Sequence, residues 1–489
     1  MLAAVCLSGC ATVPKGAKPD DPVVSRPSSV VSETAPLRFA LSYSRTDSLN
    51  PYRAKSQVNR DLGSLLYEGL TRLGTDMRAD LCLAAEIRTD DALHPVVTLR
   101  KDAVFSDGTP VKAADVAASF QRAKASTAYG PLLAQVESVK TENETLIFAL
   151  SKPDIYVDAC LSFPVLKQSE MDSDRPLGTG LYVYAHGTPP ALKANGRHAG
   201  ELAIETAELC DIANSDALLH GLENGSISYF FTDLANGEIP RTSCANLPVP
   251  MNYLVFLGIN SSRAALADAR VRQALGLAAD RADLAAAAFA GYAEPATTPF
   301  HPVFSGEETL SGFGTEEKMA EAVALLQQAG YNTGDNKKGK TLTFELLVNE
   351  DNSFRTAAAE RLKAQLGMVG VQLTIRTESF EKYEQLLRAG SFDLYLGEIR
   401  LSANMSLHPL LSGAASYGVR TGGAAAAAYA AFLSGEQSMA QFSAAFLADA
   451  PFVPLCWRKG MAVYNRAIHN VSPSALRAYA GIEGWNILE

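Results

Sequence analysis

The stretch Gly334-Asp335-Asn336-Lys337-Lys338-Gly339-Lys340-Thr341 satisfies GxxxxGK[ST], the pattern by which backbone amides at a helix start cradle phosphate. That chemistry needs a strand before the loop and a helix after it. Apolar spacing predicts the reverse here: a helix over Lys318–Ala329, with Ala322, Leu325 and Leu326 on one face, then the loop, then a strand over Leu342–Val348. The loop therefore reads as solvated. Gly178-Thr179-Gly180 fails as a dinucleotide fingerprint for a similar reason, because a strand (Leu181–Tyr184) follows it where a helix is required. The sequence contains no Gly-x-Ser-x-Gly elbow, no His-Glu-x-x-His and no Cys-x-x-Cys, and its seven histidines are scattered. The expectation is a protein that is no enzyme and holds no cofactor and no metal. An exported hydrolase working through paired carboxylates is a remote alternative, because such a pair leaves no local signature.

Composition narrows the classes further. A chain of 489 residues, 47% hydrophobic, can build about three domains' worth of core. The net charge is −10 and no basic stripe stands out, which argues against nucleic acid as a partner. After Cys10 no apolar run reaches the ~20 residues needed to span a bilayer. Met1–Cys10 (MLAAVCLSGC) is short, apolar and without a preceding Lys or Arg. Its Leu7-Ser8-Gly9-Cys10 has the form of a bacterial lipoprotein box, in which Cys10 is lipidated. Residues 1–9 then read as a signal-peptide remnant with the true start upstream, and 10–36, rich in Pro, Ser, Lys and Asp, as a lipid-anchored flexible tether. The body carries Cys82, Cys160, Cys210, Cys244 and Cys456. Either they are buried free thiols, or Cys82–Cys160 or Cys210–Cys244 is a disulfide with at least one thiol left over.

The elements that would position any site follow in order. Leu37–Tyr43 alternates as a strand. Val58–Gly69 has Leu62, Leu65 and Leu66 at helical spacing, with Gly69 as its C-cap and Glu68 either a site carboxylate or a structural residue beside that cap. Val96–Leu99 leads into Ser106-Asp107-Gly108-Thr109-Pro110, a turn in which Asp107 bonds the backbone ahead, Gly108 supplies positive φ and Pro110 stops the strand. A helix begins near Lys112 and buries Val116, Phe120 and Ala123. Met251–Ser261 is a continuous apolar strand, Ala269–Ala290 a helix, and Ala424–Ala448 an Ala-rich helix broken at Ser434-Gly435.

The segment LRKDAVFSDGTPVKAADVAASFQRA (Leu99–Ala123) resembles the signature of the extracellular solute-binding proteins, family 5, that serve peptide and nickel ABC importers. Lys112 stands where that family usually has a Thr or Ser cap. The likeness extends through Leu66-Tyr67-Glu68-Gly69-Leu70, Leu177-Gly178-Thr179-Gly180-Leu181-Tyr182, Gly258-Ile259-Asn260, Arg272-Gln273-Ala274 and Phe452–Trp457. The resemblance implies an α/β, two-lobed periplasmic-binding-protein-like fold of the large class, with an extra subdomain in the first lobe and a hinge of two crossing strands. On it, residues 37–257 form lobe I (subdomain at about 53–170), 258–456 lobe II, and 457–489 the return to lobe I, with Trp485 packing there.

By the same resemblance the protein captures a peptide or peptide-like solute between its lobes and delivers it to ABC-transporter permease subunits. It would do so as a monomer held to the membrane by its lipid, on the periplasmic face or cell surface. Alternatives of the same fold are a ligand-sensing receptor and a binder of a metal chelate. In peptide binders an aspartate after the strand matching Phe392–Leu396 meets the ligand's amino terminus; here His408 stands at that place. Glu398 is a substitute, and Arg400 a partner for a ligand carboxylate. Position in the family fold makes Tyr43, Arg45, Arg400, His408, Tyr417, Trp457 and Arg458 the candidate ligand contacts. Trp457 has core packing as an equal reading.

Overall fold

The computed structural model describes residues 38–488, except 199, 213, 307–312, 334–338, 413–416, 418, 420 and 475–476. The segments read as a signal remnant and a tether, with Cys10, lie outside the described residues, as does Gly334–Lys338 of the phosphate-loop pattern. The order around that pattern is as expected, helix Glu316–Gln328 before it and strand Leu342–Asn349 after it.

Two long antiparallel strands, Ala245–Ile259 and Phe452–Tyr464, run side by side through the middle of an eleven-stranded sheet. On one side lie Leu394–Arg400, then Leu342–Asn349, then Val371–Glu378. On the other lie Tyr229–Thr232, Ala40–Tyr43, Thr206–Asp211, Ala191–Ala194 and Tyr182–Ala185, and Ala293–Pro295 pairs separately with the second long strand. The long strands exchange partners along their length. Tyr253–Ile259 pairs with Leu394–Arg400, whereas Met461–Tyr464 pairs with Tyr229–Thr232. A register shift between Pro250 and Tyr253 marks the changeover. Sequence reading starts the first long strand at Met251, where the continuous apolar run begins. The structure starts it at Ala245: among the described residues Ala245–Pro250 has the other long strand as its one ladder partner, and a proline is tolerated on a strand flank that donates no hydrogen bond.

A separate four-stranded antiparallel sheet (Ala84–Arg88, Val96–Leu99, Thr145–Leu150, Val136–Glu142) packs with helix Ala113–Ala125. Phe105, Phe120, Phe148 and Phe163 are fully buried there, and Phe120 meets Phe148 and Phe163 edge-on at 5.9 and 6.1 Å. Each such ring contributes about 1.5–3 kcal/mol of burial. The turn before the helix forms as read: Thr109 N donates to Asp107 Oδ1 at 2.9 Å and Gly108 has φ +85°. Lys112 offers no capping oxygen, so Asp115 reaches back and accepts from Lys112 N at 2.9 Å.

Three expectations need correction. The helix read as Val58–Gly69 is Gln57–Leu66, because Tyr67 is already extended. Gly69 is therefore no helix cap; a Cβ there would press on the Ser162 and Phe163 backbone. The helix read as Ala269–Ala290 ends at Ala278, and Asp280 caps a new turn by accepting from Asp283 N at 3.0 Å. Neither disulfide forms: all five body cysteines are free, with Cys82, Cys160 and Cys456 buried. Trp485 is fully buried, 4.8 Å from the Tyr229 ring and 6.5 Å from Tyr479.

Candidate functional site

Helix Gln57–Leu66 buries Asn59, Leu62, Leu65 and Leu66 and turns Gln57, Arg60, Asp61 and Ser64 the other way. The spacing i, i+3, i+4, i+7 puts those four on one face. They wall a cavity of about 550 Å³. Facing them is Arg400-Leu401-Ser402-Ala403, the chain leaving strand Leu394–Arg400 on the opposite side of the long pair. Asn252, inside the register shift of the first long strand, lines the cavity between them. The cavity is thus walled from both halves of the sheet and crossed by the strand that links them.

Its electrostatics are uneven. Arg60, Arg72, Arg400 and Arg477 line it, with Asp61 and Glu68 as the carboxylates. Arg60 is held by neutral acceptors, Lys55 O at 2.6 Å and Gln57 Oε1 at 2.8 Å. Arg72 lies 3.7 Å from Glu483. Burial pushes the Asp61 carboxyl up to about 7, even though Gln57 donates to it at 2.6 Å and Arg400 and Arg60 favour its charge. Burial is the largest single influence on Glu68 and opposes its charge, but its hydrogen bonds, led by His198 at 3.2 Å with Cys82 at 3.3 Å, together hold that carboxyl below its ordinary value. Arg400 makes no hydrogen bond or ion pair with any described residue; its guanidinium lies 5.7 Å from the Tyr253 ring.

Asn252 is fully buried. Its Nδ2 donates to Leu401 O, and Leu401 N donates to Asn252 O at 2.9 Å, so the residue ties the far wall to the crossing strand. Its Oδ1 has no hydrogen-bond partner. An unpaired buried oxygen costs about 1–3 kcal/mol unless something donates to it.

Of the seven ligand contacts drawn from sequence, Arg400 alone lines this cavity; Glu68, read as either a site carboxylate or a structural residue, lines it too. Tyr43 is buried in the core beside Phe39 and Leu41. Arg45 is exposed and pairs with Asp211 at 3.4 Å. His408 begins a short helix, its Nδ1 2.6 Å from Ser412 Oγ and its ring edge-on to Tyr429; burial lowers its pKa, with Lys152 adding to the effect. Tyr417 is half-buried and its carbonyl accepts from Tyr395. Trp457 is fully buried, 5.1 Å from the His301 ring. Arg458 is fully buried and bidentate on Glu398, at 3.1 and 2.9 Å. Glu398, read as a substitute for the missing aspartate, is thereby engaged internally, with Arg355 a further 3.6 Å away.

Sequence reading missed Asn252, Arg60 and Asp61. The available signals were a lone Asn in an apolar strand and a polar i, i+3, i+4, i+7 stripe on an amphipathic helix. Among the described residues no group of three or more His, Cys, Asp or Glu is placed to hold a metal ion, and no helix is long and apolar enough to cross a membrane.

A sheet divided by two crossing strands, with a cavity walled from both divisions, is the architecture of a two-lobed solute-binding protein. More narrowly, the chain belongs to the bacterial extracellular solute-binding proteins, family 5, whose middle-region model matches residues 81–416. It is 24% identical over 359 residues to the oligopeptide-binding protein AppA of Bacillus subtilis (strain 168), covering 66% of this chain and 66% of AppA. It is 24% identical over 355 residues to the glutathione-binding protein GsiB of Salmonella choleraesuis (strain SC-B67), covering 67% of this chain and 66% of GsiB. These matches span just under two thirds of either relative. Among solved structures, the unliganded open form of the periplasmic murein tripeptide-binding protein MppA superposes with a TM-score of 0.78 at 19% identity, covering 92% of this chain and 98% of MppA. The expected two-lobed fold is the fold of this chain.

Proposed function

We propose that this chain is the solute-capturing component of an ABC importer, enclosing a peptide or peptide-like solute between its lobes and passing it to permease subunits without making or breaking a bond. The observation that carries this reading is the position of the cavity: helix Gln57–Leu66 on one side, Arg400–Ala403 on the other, Asn252 on the strand between. A solute touching both walls favours whatever arrangement brings them together, which is how binding selects a closed state. In this reading 37–257 form the first lobe, 258–456 the second and 457–489 the return, and Cys10 carries a lipid that keeps a monomer at the membrane. The relatives named as binding oligopeptides and glutathione support a peptide-like solute.

Native mass spectrometry tests it. The protein as purified, then unfolded, refolded and exposed to a mixed peptide digest, is expected to regain an adduct of peptide mass. Failure to take up any peptide from the digest would contradict the reading.

A further inference from the structure

We infer that the cavity is selective for acidic peptide-like solutes, with a ligand carboxylate on Arg400 and a ligand N–H donor on Asn252 Oδ1. The inference rests on the capture reading and adds the charge class and the two anchoring groups. Its first support is the balance of charge. Arg72 has Glu483 3.7 Å away and Glu68 accepts hydrogen bonds from His198 and Cys82, so each is already engaged within the protein. Arg60 is held by neutral oxygens, and Arg400 has no hydrogen bond or ion pair among the described residues. A guanidinium fork left without an internal carboxylate is the group that takes an external one in a bidentate bond. Asp61, the remaining carboxylate on this wall, sits where burial disfavours its charge and so offsets the arginines only in part.

The second support is independent of charge. Asn252 is fully buried, lines the cavity, and has its amide nitrogen committed to Leu401 O while its Oδ1 has no partner. That oxygen can only accept. Tyr253 lies opposite Arg400 in the ladder, and Asn252 precedes Tyr253 as Leu401 follows Arg400. Asn252 and Arg400 thus line the cavity from two neighbouring strands. A group presenting a carboxylate and an adjacent N–H matches them, and an acidic peptide segment presents both.

The test is isothermal titration of the full chain with three tripeptides of equal length, Ala-Glu-Glu, Ala-Gln-Gln and Ala-Lys-Lys. Ala-Glu-Glu is expected to bind about tenfold more tightly than Ala-Gln-Gln, with Ala-Lys-Lys weakest, because like charges across a binding surface are rejected. Arg400→Gln should bring the Ala-Glu-Glu and Ala-Gln-Gln affinities within about threefold of each other, and Arg400→Lys, which keeps the charge, should retain most of the preference. Equal binding of Ala-Glu-Glu and Ala-Gln-Gln by the unaltered protein would overturn the inference and leave capture standing, as would an equal loss for both peptides in Arg400→Gln. Binding of none of the three would overturn peptide capture and this inference with it.

Discussion

Arg400 and Arg458 lie opposite the same residue, Tyr253, on its two neighbouring strands. Directly opposed residues share a face, so the three form a row across the sheet at the point where the long strands exchange partners. Arg458 stacks on the Tyr253 ring at 4.4 Å, is fully buried and grips Glu398 with two bonds. Arg400 stands 5.7 Å from the same ring, is exposed, and lines the cavity without a carboxylate of its own. Residue type and neighbourhood are the same; what differs is the internal counter-charge. Arg458 has one within the fold, whereas Arg400 has none within ion-pair distance among the described residues and faces the cavity.

The sharpest way to break that contrast is to remove the counter-charge. Glu398→Gln leaves Arg458 buried and unpaired, and it should lower unfolding free energy by about 3–5 kcal/mol in chemical denaturation. A loss under about 1 kcal/mol would show that the pair is not a scaffold element. Arg400→Gln should do the opposite. Its stability should stay within about 0.5 kcal/mol of the unaltered protein, while Ala-Glu-Glu affinity falls about tenfold, or ~1.4 kcal/mol, by titration calorimetry.

Asp61 sharpens the comparison through pH. Its folded-state pKa is raised from 3.8 to about 7, so between those values the folded protein binds the proton that the unfolded chain has released. This group's share of stability is therefore greatest at low pH and declines as pH rises toward about 7. Above that, a negative charge opposes Arg400 and Arg60 in the cavity. Ala-Glu-Glu affinity should thus weaken between about pH 6 and pH 8, and Asp61→Asn should flatten the slope. A slope unchanged in that variant would assign it elsewhere. The smallest effect belongs to Arg45. Its exposed pair with Asp211 should contribute at most about 0.5 kcal/mol, and Arg45→Ala should leave both melting and Ala-Glu-Glu affinity nearly unchanged.

The contrast also shows what a linear sequence can and cannot reveal. The apolar run Met251–Ile259 of the first long strand, the Asp107–Pro110 turn and the break at Gly435 are legible because an apolar run and a positive-φ glycine are local properties, whereas the second long strand is read only from the family likeness at Phe452–Trp457. The first helix ended three residues early because Tyr67 turns extended, which its leucine spacing does not encode. Arg400 and Arg458 looked alike because partner identity is set by strand register, and Glu398 lies 60 residues from Arg458 in the chain. Trp457 was balanced between stacking and packing; only its neighbours across the sheet and the His301 ring place it in the core. Asn252 was hidden by its surroundings: one polar residue in an apolar strand reads as an interruption until the register shift beside it is seen.

Hydrogen exchange followed by mass spectrometry, with and without Ala-Glu-Glu, tests most directly whether this cavity is where the solute sits. The account predicts slowed exchange in the segments covering residues 57–72 and 400–403, on both walls at once. Protection confined to residues 43–45 or 408–417, with neither wall affected, would contradict it.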